Sequence, residues 1–178
     1  MSSSQPPTPA FMTRRPFPSL GDLLRLCLPS GTESWLLSAS YRLAIAASVI
    51  NFAAFACMWW ADVPGFAITF SDGIHLLSIP FGYLSWYKAG MTLVKVGGPA
   101  NANRFDSHSY LLMHSLHAFY AAYMAVGVPG SGSAGAIWWE AHFEMGRPGT
   151  ALACMASMIA WAALALVSMG GYARIRAL

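Results

Sequence analysis

Apolar positions along this chain gather into four long stretches, each broken from the next by a short run of polar residues, glycine and proline. A helix rises about 1.5 Å per residue, so about 20 apolar residues cross the roughly 30 Å hydrocarbon core of a bilayer. The first stretch runs from about Leu43 to Ala61, carries no charge and ends on Trp59 and Trp60. The second, about Phe66 to Tyr87, closes on Trp86 and Tyr87 and contains Asp72, His75 and Pro80. The third, about Ser107 to Val128, encloses His114 and His117, and the fourth, about Thr150 to Tyr172, is again uncharged. Tryptophan and tyrosine at the ends of such stretches suit the two faces of a bilayer. The pattern predicts an all-α membrane protein with four transmembrane helices in an antiparallel bundle, over residues 41–178.

The connections differ in length. Asp62 to Gly65 allows only a tight turn, which makes the first two spans a hairpin. Lys88 to Asp106 contains Gly97-Gly98-Pro99, which forbids one continuous helix. Pro129 to Gly149 begins with a Gly/Ser run, read as a flexible turn, and continues through Trp138 and Trp139 as a short interfacial segment. With four crossings the two termini and the middle connection share a side. That side holds nine of the ten Lys and Arg residues, the exception being Arg147. Basic residues stay cytosolic, so the termini and the middle connection are expected in the cytosol.

Composition supports a membrane over a soluble fold: 56% of the 178 residues are hydrophobic and 10% charged, too few charges to cover a soluble surface. A net charge of +3 without a basic cluster gives no footprint for nucleic acid. Residues 1–40 form a cytosolic N-terminal segment. Its Ser/Pro-rich start reads as disordered, and no apolar core follows a basic start, as a secretory signal would require. Leu20 to Leu28 and Trp35 to Leu37 read equally as an amphipathic stretch lying in the interface or as an ordinary linker. The three cysteines lack metal-ligand spacing; Cys57 and Cys154 fall in apolar runs, and Cys27 is a candidate for palmitoylation. Ala53, Cys57 and Ala61, with Ala153, Ser157, Ala156 and Ala160, form small-residue stripes that suggest close packing of spans one and four.

Ionisable groups inside a span are functional candidates. Asp72 and His75 lie one turn apart and form an intramembrane polar pair. His75 and His117 fall at roughly 13 and 16 Å from the same side, a depth at which two histidines serve as axial ligands of a b-type haem. No second such pair exists, and no cofactor or metal is expected. No paired carboxylates, phosphate loop or HExxH motif occurs, and the expectation is a protein that is not an enzyme.

Two segments carry a family resemblance. Ile79-Pro80-Phe81-Gly82-Tyr83-Leu84-Ser85-Trp86-Tyr87-Lys88 resembles the end of the second span in the secretory carrier-associated membrane protein (SCAMP) family, where a proline and an aromatic-rich run lead into Trp-Tyr-Arg. Val126-Gly127-Val128-Pro129-Gly130-Ser131-Gly132-Ser133-Ala134-Gly135 is similar to that family's Val-Gly-Ile-Pro-Gly segment and its Gly/Ser continuation. Asn51 in span one is similar too, and the likeness extends from about Tyr41 to the C-terminus. Ala89 stands where the family has proline, and the family's Asn-Pro-Phe adaptor motifs do not occur here.

The resemblance implies a non-enzymatic trafficking protein of Golgi and post-Golgi vesicles, recycling endosomes or the plasma membrane, acting in endocytosis and exocytosis. It also implies that the cytosolic stretch after span two meets membrane lipids, including acidic phosphoinositides, and trafficking or fusion proteins. The corresponding lipid-surface residues are Trp86, Tyr87, Lys88, Lys95 and Arg104, each basic one worth about 1 kcal/mol near an anionic leaflet. Self-association stays open. So do two other functions, a small accessory subunit of a respiratory or photosynthetic complex and a b-type haem protein.

Overall fold

The computed structural model describes residues 33–60 and 70–176, with side chains over 33–60 and 82–176. The described chain is all-helical: α1 (Glu33–Trp60), α2 (Phe70–Lys95), α3 (Arg104–Val126), α4 (Ala136–Glu144) and α5 (Pro148–Ile175), with one 3-10 turn at Pro99–Asn101. The hairpin turn expected at Asp62–Gly65, the segment around Leu20–Leu28 and Cys27 lie outside the described residues.

Among the described residues two helices are both long and apolar enough to cross a membrane, α1 and α5, with mean hydropathies of 1.8 and 2.0. The other two long helices have 26 and 23 residues, so length is not what separates them. Their composition does: α3 carries Ser107, His108, Ser109, His114, Ser115 and His117, and α2 carries Asp72, His75 and Lys88. Helix α1 also starts well before the expected Leu43. Leu36, Leu37 and Ser40 are buried on the same helix that continues into the apolar stretch, where the sequence had suggested an interfacial segment or a linker.

Helix α5 packs against α1, α3 and α4, and α2 packs against α1 more than against α3. Residues early in α1 meet residues late in α5: Glu33 pairs with Arg174 at 3.2 Å, while Asn51 further along α1 meets Ser157 nearer the start of α5. Spans one and four were expected to pack, and these two helices do: on α5 the expected Ser157 is buried and Ala153 and Ala160 pack against the core, but on α1 the buried stripe is another one. Ala53, Cys57 and Ala156 are exposed, whereas Ala44, Ala47, Ser48, Asn51 and Ala54 of α1 are buried, as are Cys154, Ser157 and Ser168 of α5.

Polarity is distributed the opposite way from a water-soluble protein. Asn51, His114, Ser157 and Ser168 are buried to 1% exposure or less. Large apolar side chains face outward at seven-residue intervals: Phe105, Leu112, Phe119 and Val126 on α3, and Leu152, Ile159 and Leu166 on α5. On α1 the outward face carries Val49, Phe52, Trp59 and Trp60, the last 89% exposed. Monomeric soluble proteins do not expose apolar surface over whole helices; such a surface belongs to lipid or a partner.

The helix ends follow local rules. Gly97, at φ 80°, terminates α2: its N–H reaches Val94 O, and Gly98 N–H reaches Leu93 O at 2.9 Å, which satisfies two carbonyls of the last turn. Helix α2 thus carries both Lys88 and Lys95, and the connection to α3 is shorter than the expected Lys88–Asp106 loop. Asn103 caps α3 by accepting from Phe105 N–H at 3.1 Å. Gly90 sits where α1, α2 and α3 meet: a Cβ there would lie 2.8 Å from both Leu37 Cδ2 and Tyr110 Cε2, so glycine is what lets the helices approach.

Candidate functional site

The Gly/Ser run is not a flexible turn. Asn51, fully buried at the middle of α1, donates from Nδ2 to Gly132 O at 2.9 Å. Its Oδ1 accepts from Ala134 N–H and from Ser157 Oγ, each at 2.9 Å. One amide therefore joins α1, the 127–135 connection and α5. Ser133 Oγ donates back to Met124 O at the end of α3. Gly127 and Gly135 cross backbone to backbone: a Cβ on Gly135 would fall 2.4 Å from Ala125 O, and one on Gly127 2.4 Å from Gly135 N. Gly132 through Gly135 are buried. The signal for this clamp was present in the sequence as Asn51, an amide in an apolar stretch that has to find partners away from lipid.

A second polar knot joins α2, α3 and α5. Trp86 Nε1–H donates to His114 Nδ1 at 2.9 Å. On its other side His114 bonds the Ser168 carbonyl at 2.5 Å. An indole only donates and a carbonyl only accepts, so His114 is neutral with its proton on Nε2. Tyr110 OH lies 3.4 Å from the same Nδ1, and Tyr172 stacks on the His114 ring at 5.4 Å. Next to this knot Tyr83 OH donates to His117 O at 3.2 Å, and the His117 ring packs 4.4 Å from that of Tyr83. His117 Nδ1–H is held by Met113 O at 2.7 Å.

This geometry corrects one of the sequence-derived surface residues. Trp86 is 3% exposed and faces the other helices, so it does not sit at a lipid surface. Its indole N–H needs an acceptor when buried, and His114 is that acceptor. Tyr87 is half-buried, stacked on Tyr41 at 5.2 Å. Lys88, Lys95 and Arg104 are exposed. Lys88 and Lys95 lie two turns apart on one face of α2, and Arg104 opens α3 across the short connection. The side chains of Asp72 and His75 lie outside the described residues, though both positions are on α2.

At the opposite end α4 closes on Gly146 (φ 68°), with Arg147 N–H bonded to His142 O at 3.0 Å. His142 is fully buried, and burial, with Arg147 beside it as the smaller cause, pushes its imidazole below the usual range. Among the described residues no cluster of three or more His, Cys, Asp or Glu is arranged to hold a metal ion.

A family model matches residues 32–178, and its description is the SCAMP family. The chain belongs to the SCAMP family. No curated protein and no solved structure matches it. Family and apolar helices together point to an integral membrane protein, and the family is consistent with membrane trafficking. They do not favour an accessory subunit of an energy-transducing complex or a haem protein. In this SCAMP-family chain the two segments that carry the resemblance form the two polar knots. The segment ending Trp86-Tyr87-Lys88 supplies the indole bound to His114, and Val126–Gly135 is the crossed-glycine cap that Asn51 grips.

Proposed function

We propose that this protein is a non-enzymatic component of vesicle membranes in secretory and recycling traffic. In this reading α1, α2, α3 and α5 cross the bilayer as a four-span antiparallel bundle, with both termini and the α2–α3 connection in the cytosol. The observation that carries it is membership of the SCAMP family over residues 32–178. Three supports come from the molecule: apolar side chains outward along α1, α3 and α5, the Glu33–Arg174 pair joining the start of α1 to the end of α5, and the concentration of basic residues at one end.

The working surface is the end of α2 with the start of α3. Exposed Lys88, Lys95 and Arg104 attract an anionic leaflet through a field that falls off within a Debye length, about 8 Å at physiological salt. Trp86 serves it indirectly, by fixing the end of α2 against His114 and α3. Three cations hold the connection on the membrane without selecting one lipid, which leaves selection to protein partners of trafficking and fusion.

Replacing Lys88 and Lys95 with Glu tests the electrostatic step. Full-length protein in nanodiscs should dock to vesicles containing acidic phosphoinositide, and the double variant should lose most of that docking without loss of helicity. Equal docking by both proteins would falsify the loop mechanism. The trafficking role is tested apart from it: a tagged copy should follow Golgi-derived or endosomal vesicles, and its absence from them would overturn that role.

A further inference from the structure

We infer that the groove between α2 and α3 is a binding site for a lipid whose head group carries a primary ammonium, as ethanolamine lipids do. The groove encloses about 520 Å³, within the roughly 300–1,000 Å³ of small-molecule sites. Trp86, Leu93, Tyr110 and Met113 line it with apolar surface suited to an acyl chain. It exists because α2 and α3 touch along little of their length, while the rings of Trp86 and Tyr110, parallel within 10° and 6.2 Å apart, separate the helices.

The polar end of the groove selects the head group. Asn101, Asn103 and Asp106 line it there, and no Lys or Arg does. Asn101 Nδ2 is already donating to Gly97 O, and Asn103 Oδ1 is already accepting from Phe105 N–H. After these bonds Asn101 keeps its amide oxygen and one N–H, and Asn103 keeps one lone pair of Oδ1 and its NH2, beside the Asp106 carboxylate. Asp106 is exposed and forms no ion pair among the described residues, although Lys95 and Arg104 flank the groove. At this basic end the other described acid, Glu33, is already held by Arg174. The Asp106 carboxylate and the amide oxygens at the mouth of an apolar groove complement an ammonium with N–H donors, while the nearby Lys95 and Arg104 suit the phosphate of the same zwitterionic head group. A trimethylammonium has no N–H to give, and an added carboxylate, as in a serine head group, faces Asp106 with like charge.

The inference rests on α2 and α3 being embedded in a bilayer and not on the trafficking role. The test is therefore built on reconstitution of the full chain. Wild-type protein is placed in nanodiscs of mixed choline, ethanolamine and serine lipids with identical chains, and the lipids retained on release are counted by native mass spectrometry. Ethanolamine lipid should be enriched over choline lipid by about tenfold, the scale of one charge-assisted hydrogen bond. Stepwise N-methylation of the head group should erode that enrichment, a series that needs no variant. Asp106→Asn should remove it, and Ala89→Trp, which fills the groove, should remove lipid of every class. Equal retention of ethanolamine and choline lipids, or serine lipid retained best, would overturn the site. Failure of the chain to enter nanodiscs would instead overturn the embedded reading beneath both proposals.

Discussion

The helix pair α1 and α5 and the helix pair α2 and α3 are held by different chemistry. On α1 and α5, which pack together, the buried positions include many small residues, Ala44, Ala47, Ser48 and Ala54 on one and Cys154, Ser157 and Ser168 on the other, beside larger ones such as Phe55, Met58 and Leu164. The backbones approach closely there, and Asn51 and the Glu33–Arg174 pair fix them at two levels. Between α2 and α3 the contacts are rings, Tyr83, Trp86 and Tyr110 around His114 and His117, and bulk keeps the helices apart. Lipid is as apolar as leucine, so burying leucine between two helices gains little inside a bilayer. Close packing and satisfied hydrogen bonds take over that role, and the comparison separates them: one pair uses both, the other mainly bonded rings. The looser pair is also the one that leaves a groove.

Removing the amide of Asn51 is the largest expected break. Asn51→Leu deletes three hydrogen bonds and leaves Gly132 O, Ala134 N–H and Ser157 Oγ without their partner. Interhelical hydrogen bonds in membranes average about 0.6 kcal/mol each, so a loss of about 2 kcal/mol is expected. Reversible unfolding in mixed micelles measures it. A protease site inserted between Gly130 and Ser131 should be cut faster in the variant, since the cap has lost its grip. An unchanged cutting rate would show the glycine crossing alone holds the cap.

Asn51 also shows where reading the sequence stopped. The long helices and their order were legible because length and composition do not depend on which way a side chain faces. Facing was the difficulty. In helices apolar on every side the hydrophobic pattern no longer marks the buried stripe, so Ala53 and Cys57 seemed as good a packing stripe as Ala47, Asn51 and Ala54. Trp86 failed for a related reason: a span taken to end at Tyr87 puts it where a tryptophan marks the interface, but the helix runs on to Lys95 and Trp86 faces His114. The run Pro129–Ser133 looked flexible because glycine and serine are the residues of flexible linkers. Here Gly130 and Gly132 hold positive φ, at 81° and 72°, Gly132 O and Ser133 Oγ are bonded to Asn51 and Met124, and Gly127 and Gly135 on either side cross with no room for a side chain.

A smaller break is expected at the Glu33–Arg174 pair. It lies at the helix ends, is about nine-tenths buried, and is favoured by both helix dipoles, acid at the start of α1 and base at the end of α5. Its worth falls between that of exposed and fully buried pairs, about 1.5 kcal/mol for Arg174→Gln. Reversing the pair, Glu33→Arg with Arg174→Glu, should restore the Coulomb attraction but not the dipole contribution. Stability should then recover in part. Full recovery would assign the whole effect to the pair and none to the helix ends.

The smallest effect, and the one that bears most directly on the contrast, is the coupling between Trp86 and His114. Trp86→Phe keeps a ring and loses the N–H; His114→Phe keeps a ring and loses both bonds, to Trp86 and to the Ser168 carbonyl. If the α2–α3 pair is held mainly by ring packing, each change costs little and the two costs simply add. If the indole–imidazole bond contributes, the double variant should be less destabilised than the sum, by about 0.5–1 kcal/mol. We expect that coupling, because a buried indole N–H needs an acceptor and the 2.9 Å bond to His114 supplies it. A coupling near zero would leave the rings alone holding α2 and α3, and α2 would then be free to rotate Trp86 outward. Tryptophan fluorescence would report that rotation as greater quenching of Trp86 by lipid-borne bromine in the His114→Phe protein.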